Sequence, residues 1–302
     1  MKRVPSWLLP LIPLVLVALS ASPATPQPRA RKVYISVDME GVGGVVTTDQ
    51  TAQGGFEYEK ARKWMTAEAN AAIQAAFESG ATEVLVSDSH GNGLSLIPDE
   101  LDERARLIRA WPRRHMMMVG IDETFEAAMF IGYHASEGTR HATLAHTMSG
   151  ARLADVKLNG KRVPEAGVNA AIAGHFGVPV VFISGDQTAI AETRALVGNI
   201  EAAEVKTAIG TVASMLHPKR AQALIKKRAK AALARRRDFK PWTLATPITV
   251  EIVFKSEADA ENVGYLPAVK MVDGRTISFT GKDMLEVAGF IANVTRSGVP
   301  NP

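Results

Sequence analysis

Ser36-Val37-Asp38-Met39-Glu40-Gly41 is the stretch on which the reading of this chain turns. It closes the first apolar run beyond the N-terminal leader, Lys32 to Val37, which reads as a strand. Side chains alternate between strand faces, so Asp38 and Glu40 are expected to point the same way where the strand gives out. Two carboxylates side by side repel, and burying them unpaired costs several kcal/mol, so the arrangement calls for a divalent cation between them. A strand ending in a solvated acidic turn would fit the same residues.

Outward from that run, Gly41-Val42-Gly43-Gly44 reads as a flexible loop able to approach a ligand; it lacks the spacing of a dinucleotide or phosphate fingerprint. Apolar residues from Ala61 to Phe77 recur at helical spacing within Tyr58 to Ser79, and Gly80 caps the helix. Glu83 to Val86 is the next strand and runs into Ser87-Asp88-Ser89-His90-Gly91-Asn92-Gly93. Two strands joined by one helix make a parallel crossover, whose ligands collect beyond the carboxyl ends of the strands, so His90 is expected beside Asp38. A turn histidine bonded to its own loop is the alternative.

A less regular stretch, Ile97 to Asp122, carries Met116 to Met118, read as core filler. Ala127 to Tyr133 is a third strand delivering His134 to the same edge, with His141 and His146 in the loop that follows. Asn159-Gly160 marks a hairpin within Asp155 to Val163. Pro164 suits a helix start, which puts Glu165 in the first turn, where it would also favour the helix dipole. Strands alternating with helices, then a hairpin-bearing tail, indicate an α/β protein: a three-layer αβα domain with a largely parallel sheet (32–240) and a smaller α+β C-terminal subdomain (241–302) packed on it.

The chain has 302 residues, 46% of them apolar, enough for a large core. Lys2 and Arg3, an apolar run from Trp7 to Leu19 and small residues from Ala18 to Ala24 read as an export signal over 1–24, followed by a disordered leader over 25–31. The run falls short of the ~20 residues that span a bilayer, so no stable membrane span is expected after cleavage, and the protein is expected to be periplasmic or secreted. There is no cysteine, which leaves His, Asp and Glu as the metal ligands available. The formal charge of +4, or +2 without Lys2 and Arg3, argues for no nucleic-acid partner, and the basic run Lys226 to Arg237 reads as a solvated helix face.

Asp38, Glu40, His90, His134 and Glu165 thus gather at one edge as three carboxylates and two imidazoles. Such a set suits two divalent ions of the zinc or manganese type, which together would support hydrolysis. The runs Ser36 to Gly41, Asp88-Ser89-His90, Gly132-Tyr133-His134-Ala135, His146-Thr147-Met148 and Glu165 to Ala170 resemble, in order and spacing, the DppA-type D-aminopeptidases; Gly185-Asp186 and Lys282 to Glu286 are similar too.

The resemblance implies a dinuclear zinc enzyme, with Mn2+ or Co2+ as substitutes, that removes D-amino acids from the N-termini of short peptides within a ring-like homo-oligomer such as a decamer. It implies that Asp38 bridges the ions, that Glu40 and His90 complete one site and His134 and Glu165 the other, and that His146 is the catalytic histidine. Asp88 could orient His90 or cap its loop. Rival readings are a dinuclear phosphoesterase, with Arg140 and Arg152 as phosphate clamps, and a non-catalytic secreted metal-binding protein.

Overall fold

Alternation along the first strand already requires a sheet covered on both faces. Tyr34 points into one apolar cluster while Val33, Ile35 and Val37 point into the other. The computed structural model describes Met1 and residues 30–296, so the expected export signal beyond Met1 and nearly all of the expected leader lie outside the described residues. Arg31, at the leader's end, is tied to Thr82 through its backbone. Among the described residues no helix is long and apolar enough to cross a membrane.

The strands are β1 (Lys32–Val37), β2 (Glu83–Asp88), β3 (Arg106–Ile108), β4 (Phe125–Tyr133), β5 (Leu153–Leu158), β6 (Lys161–Arg162), β7 (Val180–Asp186), β8 (Glu201–Ile209), β9 (Val212–Met215), β10 (Ile248–Phe254), β11 (Val269–Met271) and β12 (Thr276–Gly281). The helices are α1 (Tyr58–Glu78), α2 (Glu165–His175), α3 (Gln187–Val197), α4 (Pro218–Ala234), α5 (Glu257–Gly264) and α6 (Met284–Arg296).

The larger sheet runs β3-β2-β1-β4-β7-β8-β9 and is parallel except for the β8–β9 pair. The chain leaves β1 towards β2 and later returns on its other side as β4, so the direction of winding reverses between β1 and β4. In an open parallel sheet, a crevice at the carboxyl ends is found at such a switch point.

Helices α1 and α4 cover one face. Met65, Ala69 and Ile73 of α1 share a core with Ala221, Ile225 and Leu233 of α4. Three basic residues of α4 are engaged at its rim, Lys226 and Lys230 on Glu78 and Arg228 on Glu201. Helices α2 and α6 lie on the other face, together with the second sheet, β11-β12-β10-β5-β6, which is antiparallel throughout.

That second sheet is not made from residues 241–302 alone. The hairpin at Asn159-Gly160 buries Leu153, Val156 and Leu158, and β10 supplies the partner edge, so the smaller unit draws strands from both sides of position 241.

Candidate metal centre

The centre is assembled at the switch point, and its first two carboxylates are set by a turn rather than by strand pleating. β1 ends at Val37; the Asp38 N–H then donates to the Ile131 carbonyl at 2.8 Å and the Gly41 N–H to the Gly132 carbonyl at 2.7 Å. This stitches residues 38–41 onto β4 and aims Asp38 and Glu40 at one imidazole. Gly132 has φ +71°, and a Cβ there would lie 2.3 Å from the Asp38 carbonyl oxygen. A Cβ on Gly41 would lie 2.0 Å from the Tyr133 carbonyl oxygen. The expected flexible loop at residues 41–44 is a buried, tightly fitted turn whose glycines approach β4 and α1.

All five expected ligands come together. His90 Nδ1 lies 3.0 Å from Glu40 Oε2 and 3.3 Å from Asp38 Oδ1. On the other side His134 Nε2 lies 3.4 Å from Asp38 Oδ2 and 3.6 Å from Glu165 Oε1. The two oxygens of Asp38 thus face different imidazoles. Glu165 opens α2 and accepts the Met148 N–H at 2.7 Å. His146 joins the same cluster, its ring stacked on His134 with centroids 4.1 Å apart and its Nε2 3.5 Å from Glu165 Oε1.

One rule orients the three rings. His90 Nε2 sits 2.8 Å from the Thr51 carbonyl, His134 Nδ1 3.0 Å from that of Ala135, and His146 Nδ1 2.9 Å from that of Leu144. A carbonyl only accepts, so each of those nitrogens carries the proton and donates. In the neutral ring the other nitrogen is then a bare lone pair facing the carboxylates, the state a metal ligand needs.

The electrostatics match. Burial raises the Asp38 carboxyl, but the His134 and His90 imidazoles outweigh it and hold the group well below the usual carboxylate range. Burial likewise raises Glu40 and Glu165, and the imidazoles of His90 and His134 again prevail and depress them. Burial would lower the two rings, yet Glu40 with Asp38, and Glu165 with Asp38, lift His90 and His134 well above 6.5. Among the described residues, Asp38 Oδ2 and His134 Nε2 are buried without a hydrogen-bond partner although they face each other. A buried acceptor and a buried ring nitrogen left open towards one point fit a dication between them, and the oxygen and imidazole donors suit zinc or manganese.

Asp88 does not orient His90. Its Oδ2 accepts the Leu96 N–H at 2.7 Å, so it caps the loop. His141 is exposed, away from the cluster, as a surface histidine would be.

Two cavities open from the centre. One of about 290 Å³ is walled by Trp111, Met116, Met117, Met148 and Ser149, the other, of about 400 Å³, by Thr48, Thr51, Glu137, Leu144 and Gly150. Glu40 and His146 border both. Met116 and Met117 are buried as core filler should be, but they also face this space, which their irregular stretch gave no periodicity to reveal.

Known proteins resemble the chain over nearly all of this architecture. The peptidase family M55 model, described as D-aminopeptidase, matches residues 31–292. A D-aminopeptidase of Bacillus subtilis (strain 168) is 37% identical over 258 residues, which cover 84% of this chain and 93% of the relative. A solved structure of the Zn-dependent D-aminopeptidase DppA from Bacillus subtilis, described as a self-compartmentalizing protease, superposes with a TM-score of 0.84 at 34% identity, covering 88% of this chain and 99% of that one.

Proposed function

The chain belongs to the D-aminopeptidases of peptidase family M55, and from that membership we propose that Asp38, Glu40, His90, His134 and Glu165 hold two zinc ions and that His146 moves the proton. The observation that carries the two-ion reading is Asp38, each of whose oxygens faces a different imidazole, as a bridging carboxylate must. When bound, such a pair supplies electrophilic polarisation of the scissile carbonyl and a water acidified towards neutral pH.

The protein's own groups do the rest. Glu40 and His90 would hold one ion, His134 and Glu165 the other, and Asp38 both. With its Nδ1 proton committed to Leu144, the neutral His146 offers Nε2 as a base at the cavity wall, where its side chain is 21% exposed. It takes the proton of the attacking water and, as imidazolium, returns it to the leaving amine. Direct donation to the oxyanion from the neutral ring is disfavoured by that tautomer.

The substrate proposed is a short peptide with an N-terminal D-residue, such as the D-alanyl peptides of cell-wall turnover. Export to the periplasm or beyond is supported by Lys2, Arg3 and the apolar run that follows. Assembly into a ring-like homo-oligomer is supported by the apolar edge hairpin, where Ile209, Val212 and Met215 are exposed. Of the two clamps a phosphoesterase would use, Arg152 is engaged by Asp259 at 3.1 Å and by the Val294 carbonyl, which leaves the exposed Arg140 as the single candidate.

The test is a panel of D-Ala-D-Ala and L-Ala-L-Ala, with and without chelator, on wild type and His146→Ala. Wild type should cleave only the D-peptide and only with metal. His146→Ala should keep two zinc ions and lose turnover by about 10²- to 10⁴-fold. Preference for the L-peptide would defeat the substrate reading; loss of zinc would make His146 a ligand.

A further inference from the structure

Beneath the turn that carries Glu40 lie two buried charges that the chemistry above does not use. Lys206, on β8, is only 2% exposed, and its Nζ donates to the carbonyl oxygens of Glu40 and Val45. Glu68, on α1, is 1% exposed, and its Oε1 accepts the Gly43 N–H at 2.9 Å. Among the described residues its Oε2 is buried without a hydrogen-bond partner.

Buried charges normally spend themselves on each other, because an isolated one costs several kcal/mol. Here both are spent on the backbone of residues 40–45. The fit is close: a Cβ on Gly43 would lie 3.0 Å from Glu68 Oε1 and 3.2 Å from Ala221 Cβ. Across the sheet, Asp186 is the register partner of Lys206 and accepts the Thr143 N–H at 2.9 Å, three residues before His146. Burial pushes Glu68 up to about 7 against the Gly43 N–H and the Lys206 charge, and Lys206 down to about 8 against the carboxylates of Asp186, Glu68 and Glu40.

We propose that Lys206 and Glu68 form a cradle that positions Glu40 for its metal ion: Lys206 is a positioning residue acting through the Glu40 carbonyl, and Glu68 fixes the same turn through Gly43. This rests on the assignment of Glu40 as a ligand. Metal held in the Glu40/His90 half then depends on two side chains that cannot touch it, whereas the His134/Glu165 half does not. Supporting groups of this kind typically contribute about 10- to 100-fold in metal affinity.

The experiment is zinc titration of metal-free full-length protein against a chromophoric chelator, with thermal melting alongside, for wild type, Glu40→Gln, Lys206→Met and the double variant Lys206→Met/Glu68→Met. The double variant removes both buried charges together, so neither is left uncompensated, at the cost of the hydrogen bonds to the backbone of 40–45, and it keeps the test alive should Lys206→Met not fold.

Wild type should bind two ions and Glu40→Gln should lose one. Lys206→Met and the double variant should weaken that same ion by about 10- to 100-fold and leave the other within twofold, with a cooperative metal-free melting transition retained in the double variant. If Glu40→Gln keeps both ions, the ligand assignment fails. If Glu40→Gln loses one while the double variant binds both as wild type does, or weakens both equally, the cradle alone is refuted.

Discussion

Asp38, Glu40 and His90 stand just beyond the ends of paired strands, whereas Glu165 and His146 stand on a helix start and an irregular loop outside the parallel sheet. The first set inherits its geometry from the sheet, through the bonds of Asp38 and Gly41 to β4 and the pairing of β1 with β2. The second set is reached only through the 135–164 excursion, where His141, Leu144 and Met148 all take φ between 52° and 64°. Such left-handed backbone costs roughly 1–2 kcal/mol per non-glycine residue and persists where surrounding structure over-determines it. One half of the centre is thus a by-product of the fold, and the other is held in place at a cost.

Breaking the seam between the halves should have the largest effect. Gly132→Ala drives a Cβ to 2.3 Å from the Asp38 carbonyl at a φ of +71°, so it should destabilise by more than about 3 kcal/mol and lose both ions, read by denaturant unfolding and metal analysis. A variant that unfolds as wild type does would mean that the two halves are not interlocked there.

Next in size, Asp38→Asn should keep the fold but lose tight binding in both halves. Turnover should fall about 10³-fold or more, equivalent to roughly 4 kcal/mol of transition-state stabilisation. Glu165→Gln should weaken one ion only. Equal losses in the two variants would remove the bridging role of Asp38.

The third effect is a pH dependence of the metal-free protein. His90 and His134 are raised above 6.5, so their contribution is complete below that value and is lost as pH climbs through the raised folded values. Asp38, Glu40 and Glu165 are lowered from 3.8 and 4.5, so theirs is complete above those values and is lost as pH falls through the depressed ones. With chelator, melting temperature should peak between the two ranges and decline towards pH 9. Zinc should cancel the decline, because ions replace the protons. A chelated protein that melts higher at pH 9 than at pH 5.5 would contradict the raised imidazoles of His90 and His134.

The smallest effect addresses the cost of the second half. His141→Gly at φ +55° should raise stability by about 1 kcal/mol and leave activity alone, since the ring is exposed and gives up one long hydrogen bond, accepted from the Gly210 N–H at 3.3 Å. A loss of stability would show the loop to be unstrained at that point.

Much of this was legible in the sequence, and the gaps have physical causes. Strand ends announced Asp38, His90 and His134 because apolar runs stop abruptly at polar, glycine-bearing loops, and Pro164 announced the helix that begins with Glu165. Strands β3 and β9 and helix α5 are too short for a period to emerge, and they exist because longer neighbours pair or pack with them. Pleating was the wrong cause for the convergence of Asp38 and Glu40, since backbone bonds to β4, over ninety residues away in sequence, make the turn. The membership of the β5–β6 hairpin in the second sheet is equally non-local. Lys206 sits between Val205 and Thr207 on a strand, where nothing local distinguishes a buried lysine from an exposed one.

The three rings owe their aim to the carbonyls of Thr51, Ala135 and Leu144, and a peptide oxygen is present whatever side chain the residue bears. Replacement of the side chain at any of these three positions therefore leaves the ring's anchor chemically intact. Insertion or deletion of a single residue beside one of them would carry the anchor away. The centre is consequently more sensitive to the length of its supports than to their side chains: altered spacing at 51, 135 or 144 should lose metal, whereas side-chain changes that fit the packing, tightest at the fully buried Ala135, leave the anchor oxygen in place.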